Sequence, residues 1–255
     1  MQAQDPRIDS VGQPQTGTCQ DPEQELQWGE WLYGELVAHF DVETEPWAVD
    51  LVHRAAARLN EERAPAPAME PVILWITTQT AFTGPGRYLY LSRELLHRAY
   101  WEEAVAFTIA HEMAHHDLGH TQLYRGKLAL VRHLPGSLIA AAVLTMADYW
   151  LNGPENEAAA DARALDLCLA AGYDGARCME LFDILEAYAL DHGAIECVFG
   201  PEEVPHPREE QHHGWRTAAQ SWIWRRRYGY PAIRARKEAL LARLGAQESV
   251  RGWSH

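Results

Sequence analysis

The sequence predicts an α+β fold that is mainly helical, with a small β-sheet or hairpin packed over one central helix. Three observations point there. Apolar residues recur at helical spacing through most of the chain, as in Leu26, Leu32, Leu36 and Phe40. One stretch, residues 71–92, instead combines β-branched and aromatic residues around a Gly84-Pro85-Gly86 break. The segment His111-Glu112-Met113-Ala114-His115 reads H-E-x-x-H inside a helical pattern, with Val105, Ile109 and Met113 on one stripe.

A chain of 255 residues is long enough for one large domain with its own core. Its 47% hydrophobic and 23% charged residues are those of an ordinary globular protein. A formal net charge of −14 favours solubility and argues against a nucleic-acid partner. The charge is uneven, because residues 214–255 carry +7 and the rest −21. This basic end reads as a pair of solvated helices, or as a surface for a membrane or an acidic partner. Cys19, Cys168, Cys178 and Cys197 show no C-x-x-C and no disulfide-framework spacing. Cys168 and Cys178 fall in apolar helical patterns, as buried thiols do. Residues 1–21 lack the apolar core of a signal peptide. The uncharged run Leu134–Ala147 has 14 residues, short of the roughly 20 that span a bilayer. It reads as a buried or interfacial helix.

Taken in order, residues 1–21 are polar and rich in Gln, Pro and Gly, and read as a disordered arm. Glu23–Phe40 and Pro46–Asn60 are helices, the second with Val49, Val52, Ala56 and Leu59 on one side. Arg63–Pro71 is a proline-rich linker. Pro71–Thr78 and Arg87–Ser92 are expected to pair as a hairpin through a turn at Ala81–Gly86. Ser92 caps a short helix, Arg93–Tyr100. Trp101–Leu118 is the helix carrying H-E-x-x-H, with Glu102 and Glu103 suited to its N-terminal dipole and Gly119 to its end. Residues 121–133 and 136–151 are two helices hinged at Pro135. Glu155–Ala171 is a further helix, and Asp174 caps another that continues to His192. After a proline-rich loop at 200–210 come helices at Gln211–Arg227 and Pro231–Leu244. The expected organisation is an arm (1–21), one domain (22–228) and a basic helical extension (229–255).

The chemistry follows from the motif. Residues four apart on a helix share a face, so His111 and His115 aim two imidazoles at one point. Glu112 is turned about 100° away, beside that point, where it reaches a water. This is the donor set of a zinc hydrolase, two His ligands with Glu as general base. A catalytic zinc takes three protein ligands. Glu157, in the first turn of the later helix, is the choice for the third. Asp161, one turn on, is placed to accept the free ring N–H of a site histidine. His116, off the ligand face, and His120, after Gly119, are other candidates. A metzincin would need Gly at 118 and His at 121, where the chain has Leu118 and Thr121.

The pairing of His111-Glu112-Met113-Ala114-His115 with Glu157-Ala158-Ala159-Ala160-Asp161 resembles the HtpX and CAAX-prenyl-protease family (Ste-type, Oma/BepA-like) of gluzincin zinc metallopeptidases. Thr80-Ala81-Phe82 with Tyr88–Ser92 is similar to that family's Asn-Ala-Phe hairpin, Ala171-Gly172-Tyr173-Asp174 to its turn after E-x-x-A-D, and Pro205-His206-Pro207 to its late His-Pro. Thr80 stands where Asn is usual, and His212 where an Arg would follow. The resemblance spans about residues 25–225. It implies a zincin-like domain binding one Zn2+ and an endopeptidase cutting protein or peptide substrates, with Glu112 as base. His206 would stabilise the oxyanion or act as a blocking fourth ligand. Tyr88, Leu89 and Tyr90 would form an edge on which an extended peptide adds as a strand. The family's membrane helices are not evident, so the chain looks more like its soluble or periplasmic members, which act on damaged proteins. Peripheral membrane contact would fall to 134–151 or the basic C-terminal helices. A selective regulatory protease and a non-catalytic zinc-binding chaperone are the alternatives.

Overall fold

The computed structural model describes residues 22–77, 79–121, 154–192 and 230–252. The arm at 1–21, the helix pair about Pro135, the loop with His206 and the segment Gln211–Arg227 lie outside them. The described residues form eight helices and three strands: α1 (Pro22–His39), α2 (Pro46–Arg63), β1 (Glu70–Leu74), β2 (Ala81–Thr83), β3 (Tyr88–Ser92), α3 (Arg93–Arg98), α4 (Glu102–Asp117), α5 (Pro154–Ala170), α6 (Gly175–Cys178), α7 (Glu180–His192) and α8 (Tyr230–Gly252). The fold is mainly helical with one small sheet, as the periodicities require. No helix among the described residues is long and apolar enough to cross a membrane.

The sheet differs from the expected hairpin. Its order is β1-β3-β2, with β1 parallel to β3 and β2 antiparallel to it. The stretch 71–78 thus ends as a strand at Leu74, and the hairpin partner of β3 is Ala81–Thr83, which the glycines had marked as turn. Gly84 to Arg87 make the reversal, with Gly86 in the left-handed region at φ 81°. β3 has both ladders filled and all five residues buried. Tyr88, Leu89 and Tyr90 therefore do not form an edge, which corrects the expectation that a peptide would add there. Of the two outer strands, β1 is bridged at Leu74 by Val42, and among the described residues β2 has no further strand partner and is the open edge.

Alternation along β3 splits its side chains between two cores. Leu89 and Leu91 join the main cluster with Leu51, Leu59, Val105, Ile109 and Met113 of α2 and α4. Tyr88 and Tyr90 join Leu32 and Leu36 of α1 with Val72, Leu74 and Phe82. The sheet is thus a middle layer, with α1 on one face and α2 and α4 on the other. α4 is buried nearly all round, which is why a full apolar run rather than a stripe precedes His111. It closes on Gly119 (φ 74°), with N–H of Gly119 donating to the His116 carbonyl (3.0 Å) and N–H of His120 to that of His115 (2.9 Å). α5 closes the same way on Gly172. Ser92 accepts from Leu95 N–H and caps α3. The helix expected from Asp174 to His192 is two, α6 and α7, joined at Met179, with Asp174 capping only the first. Cys168 and Cys178 are buried free thiols.

Besides its packed side chains, α1 meets the β2–β3 turn backbone to backbone at Gly29. A Cβ on Gly29 would stand 2.7 Å from the Pro85 carbonyl oxygen and 2.9 Å from Gly86 Cα. Neither atom can turn aside. Gly29→Ala is expected to destabilise the fold by about 1–3 kcal/mol despite the better helix propensity of alanine. Thermal unfolding measures this, and Gly34→Ala, which meets nothing within 4 Å, is the control expected to hold or gain stability.

Candidate metal centre

The ligand helices α4 and α5 pack against each other, and Ala110, Ala114, Ala160 and Ala164 are fully buried. Small residues let two helix axes approach until side chains one residue away converge. The Nε2 atoms of His111 and His115 stand 3.0 Å apart. Glu157 Oε2 is 3.5 Å from the first and Oε1 is 3.2 Å from the second. Two ligands on one tetrahedral zinc, at about 2.0–2.1 Å each, stand about 3.3 Å from one another. The three groups thus have the spacing of a coordination triad, and they are the one cluster of that kind among the described residues.

The far side of each imidazole is also occupied. Nδ1 of His111 lies 3.0 Å from Asp161 Oδ1, though short of the alignment of a full hydrogen bond. Nδ1 of His115 lies 2.8 Å from Nδ1 of His120. His120 thus touches a site histidine from behind, and both it and His116 stand outside the triad. With Nδ1 engaged in this way, each Nε2 is left to point its lone pair inward. Two lone pairs and a carboxylate meeting in one buried space require a cation or a proton between them. Glu157 Oε1 is in fact buried without an aligned donor. The residues fit a divalent metal.

Electrostatics describe the metal-free state. Burial opposes charge on His111, but Glu157 and Asp161 outweigh it and raise the imidazole to about 10. A proton then fills the space between the two Nε2 atoms. Burial first, with the charges of His111 and Arg236, lowers His115 against the pull of Glu157. Burial raises the Glu112 carboxyl to about 7, against the opposing pull of His111. A backbone hydrogen bond from Thr83 of β2 touches the same carboxyl. A carboxyl near 7 is in the range of a general base or acid at neutral pH. Burial also opposes ionisation of Glu157 and Asp161, yet Arg236 first, then His111, hold both below the usual carboxylate range.

Arg236 is the site residue that the sequence did not reveal. Its Nη1 lies 2.9 Å from Glu157 Oε2. Its Nε and Nη2 donate to the two oxygens of Asp161 at 2.7 and 2.8 Å. It comes from α8, in the stretch set apart as a basic extension. α8 packs on α5, α6 and α7. Ile233 and Leu240 are buried there, Arg243 pairs with Asp166 at 2.7 Å and Lys237 with Asp183. No local spacing announces a partner 75 residues away. The only hint is an Arg at helical spacing between two buried apolar positions.

A sheet-backed H-E-x-x-H helix, a Glu from the next helix and a base beside them invite comparison with known proteins. No match to an individual curated protein is found. Removing the Arg236 guanidinium leaves two buried carboxylates facing each other. Arg236→Met is therefore expected to cost about 3 kcal/mol in chelator-treated protein. Added Zn2+ should recover more stability in the variant than in wild type, since the ion supplies the missing positive charge. Paired thermal unfolding with EDTA and with Zn2+ measures both effects. The profile of peptidase family M48 matches residues 43–213, which include β1–β3, α4 and α5 but not α8, and the chain belongs to that family of metallopeptidases.

Proposed function

We propose that the protein is a zinc endopeptidase that cuts extended segments of polypeptide, with His111, His115 and Glu157 holding the ion and Glu112 as the general base. The observation that carries this reading is the position of Glu112. It is buried beside the triad but outside it, and its carboxyl is shared with the backbone of β2, the open edge of the sheet.

Bound zinc would supply the Lewis acidity that activates water and polarises a carbonyl. The chain's own groups do the rest. An extended peptide pairing antiparallel with Ala81–Thr83 lies along the face where Glu112 emerges. Glu112, poised near 7, takes a proton from the attacking water and delivers it to the leaving amine. Asp161 and His120 hold the ligand imidazoles from behind. His206, the family-matched candidate for oxyanion stabilisation or for a blocking ligand, lies outside the described residues, as does the stretch 134–151 suggested for membrane contact. A sheet edge accepts only chain that is already extended. This favours unfolded or misassembled proteins as substrates, the work of protein quality control.

The test is digestion of an unfolded protein by zinc-loaded wild type beside Glu112→Gln. The variant keeps the shape and the ligands but cannot accept the proton. A loss of at least about 100-fold in rate, with zinc still bound, is expected. Equal rates in both would remove Glu112 from the chemistry, and no cleavage by either would leave a zinc-binding protein on a peptidase fold.

A further inference from the structure

One side chain at the metal centre comes from beyond the residues that match the family profile. The match ends at residue 213, and Arg236 lies on α8. Its guanidinium is divided between two acids one helical turn apart on α5. Nη1 lies 2.9 Å from Glu157 Oε2. Nε and Nη2 donate to Asp161 Oδ2 and Oδ1 at 2.7 and 2.8 Å. Asp161 Oδ1 is also the atom 3.0 Å from His111 Nδ1. A single planar group thus touches one candidate ligand, Glu157, and the carboxylate behind another, His111.

The guanidinium is itself held in place. Ile233 and Leu240, which flank Arg236 at helical spacing, are buried. Its central carbon stands 5.5 Å from the centre of the Phe182 ring. Next to it, Lys237 pairs with Asp183 of α7. A counter-charge needs none of this, because any cation at that depth would neutralise the acids. What a fixed fork of donors adds is direction. Here it engages Oε2 of Glu157 and leaves Oε1, which lies 3.2 Å from His115 Nε2 and is buried without an aligned donor. The two oxygens of this ligand are therefore not equivalent.

We infer that Arg236 is a positioning residue that makes Glu157 a one-oxygen ligand, holding Oε2 while its other donors fix Asp161 behind His111. The inference rests on the reading of His111, His115 and Glu157 as the ligand set, and not on peptide cleavage. A carboxylate beside a metal ion is free to give it one oxygen or two. Two from Glu157 would fill the position that a catalytic site keeps for water. Space for that position exists here, in a cavity of about 180 Å³ whose lining includes His111, Glu112, Glu157 and Arg236. With Oε2 spent on Nη1, the position beside Glu112 stays open. A lysine would not serve in the same way. Its ammonium is a point charge without a rigid fork, so it neutralises the two acids without fixing the orientation of either. Charge and orientation can therefore be separated by substitution.

The test loads Co2+ in place of zinc into full-length metal-free wild type, Arg236→Lys and Arg236→Gln, and reads visible absorption per bound ion. That absorption is strong for four ligands and falls as a fifth is added. Arg243→Met, which removes the pair with Asp166 on the same helix, is the control for a loosened α8. Wild type is expected to bind one Co2+ per chain with four-coordinate absorption. Both Arg236 variants are expected to bind one ion with absorption lowered about twofold or more, as Glu157 turns to give both oxygens. Arg243→Met is expected to match wild type. Arg236→Lys keeps a positive charge beside the acids and decides the matter where Arg236→Gln folds poorly. Wild-type absorption in either Arg236 variant overturns the inference and leaves the ligand set standing. So does loss of the ion from both variants, or an equal fall in Arg243→Met. A wild type that binds no Co2+ overturns the ligand set and the inference together.

Discussion

Everything at the centre of this protein depends on two carboxylates, Glu157 and Asp161, being kept ionised in a place almost free of water. They are 6% and 2% exposed, and isolated charges at that depth would take up protons. What prevents this is a ring of positive groups from three directions. His111 comes from α4, Arg236 comes from α8, and the space between His111, His115 and Glu157 suits a metal ion. Without them the two carboxylates carry an uncompensated charge. The fold must therefore bring α4, α5 and α8 together before the site has a defined electrostatic state.

That requirement explains features otherwise unrelated. The alanines between α4 and α5 allow close packing where larger side chains would separate the ligands. The glycine ends of both helices satisfy carbonyls without adding bulk. α8 is fastened at several points along its length by Ile233, Lys237, Leu240 and Arg243, which fixes where Arg236 can reach. The sheet, held between α1 and α4, positions β2 against α4 beside Glu112.

The histidine pair was legible because it is local, whereas Glu157 was chosen from the later E-x-x-A-D stretch. A four-residue helical spacing is a geometric statement in itself, and His111, His115 and Asp161 stand where spacing and face place them. The helices α1 to α5 were legible for the same reason, since periodicity, Ser92, Gly119 and Gly172 are short-range signals. What was not legible is long-range. A parallel β1–β3 pair and a hairpin both present apolar alternation around a glycine turn, and only the position of Ala81–Thr83 in the assembled sheet distinguishes them. Placing Tyr88 to Tyr90 on an edge failed for this reason. Arg236 carries no local mark, because an arginine is engaged or solvated according to what lies opposite it.

The central claim is that His111, His115 and Glu157 form a metal site at which a proton takes the ion's place in metal-free protein. Titration of metal-free protein with Zn2+ near pH 8, by calorimetry in two buffers of different ionisation enthalpy, tests it directly. With His111 raised to about 10, binding should take one Zn2+ per chain and release about one proton. Apparent affinity should rise with pH toward 10, because the competing proton is lost over that range. Glu157→Ala should weaken binding by more than about 100-fold. Zinc binding that releases no proton, or that survives Glu157→Ala unchanged, would contradict the account.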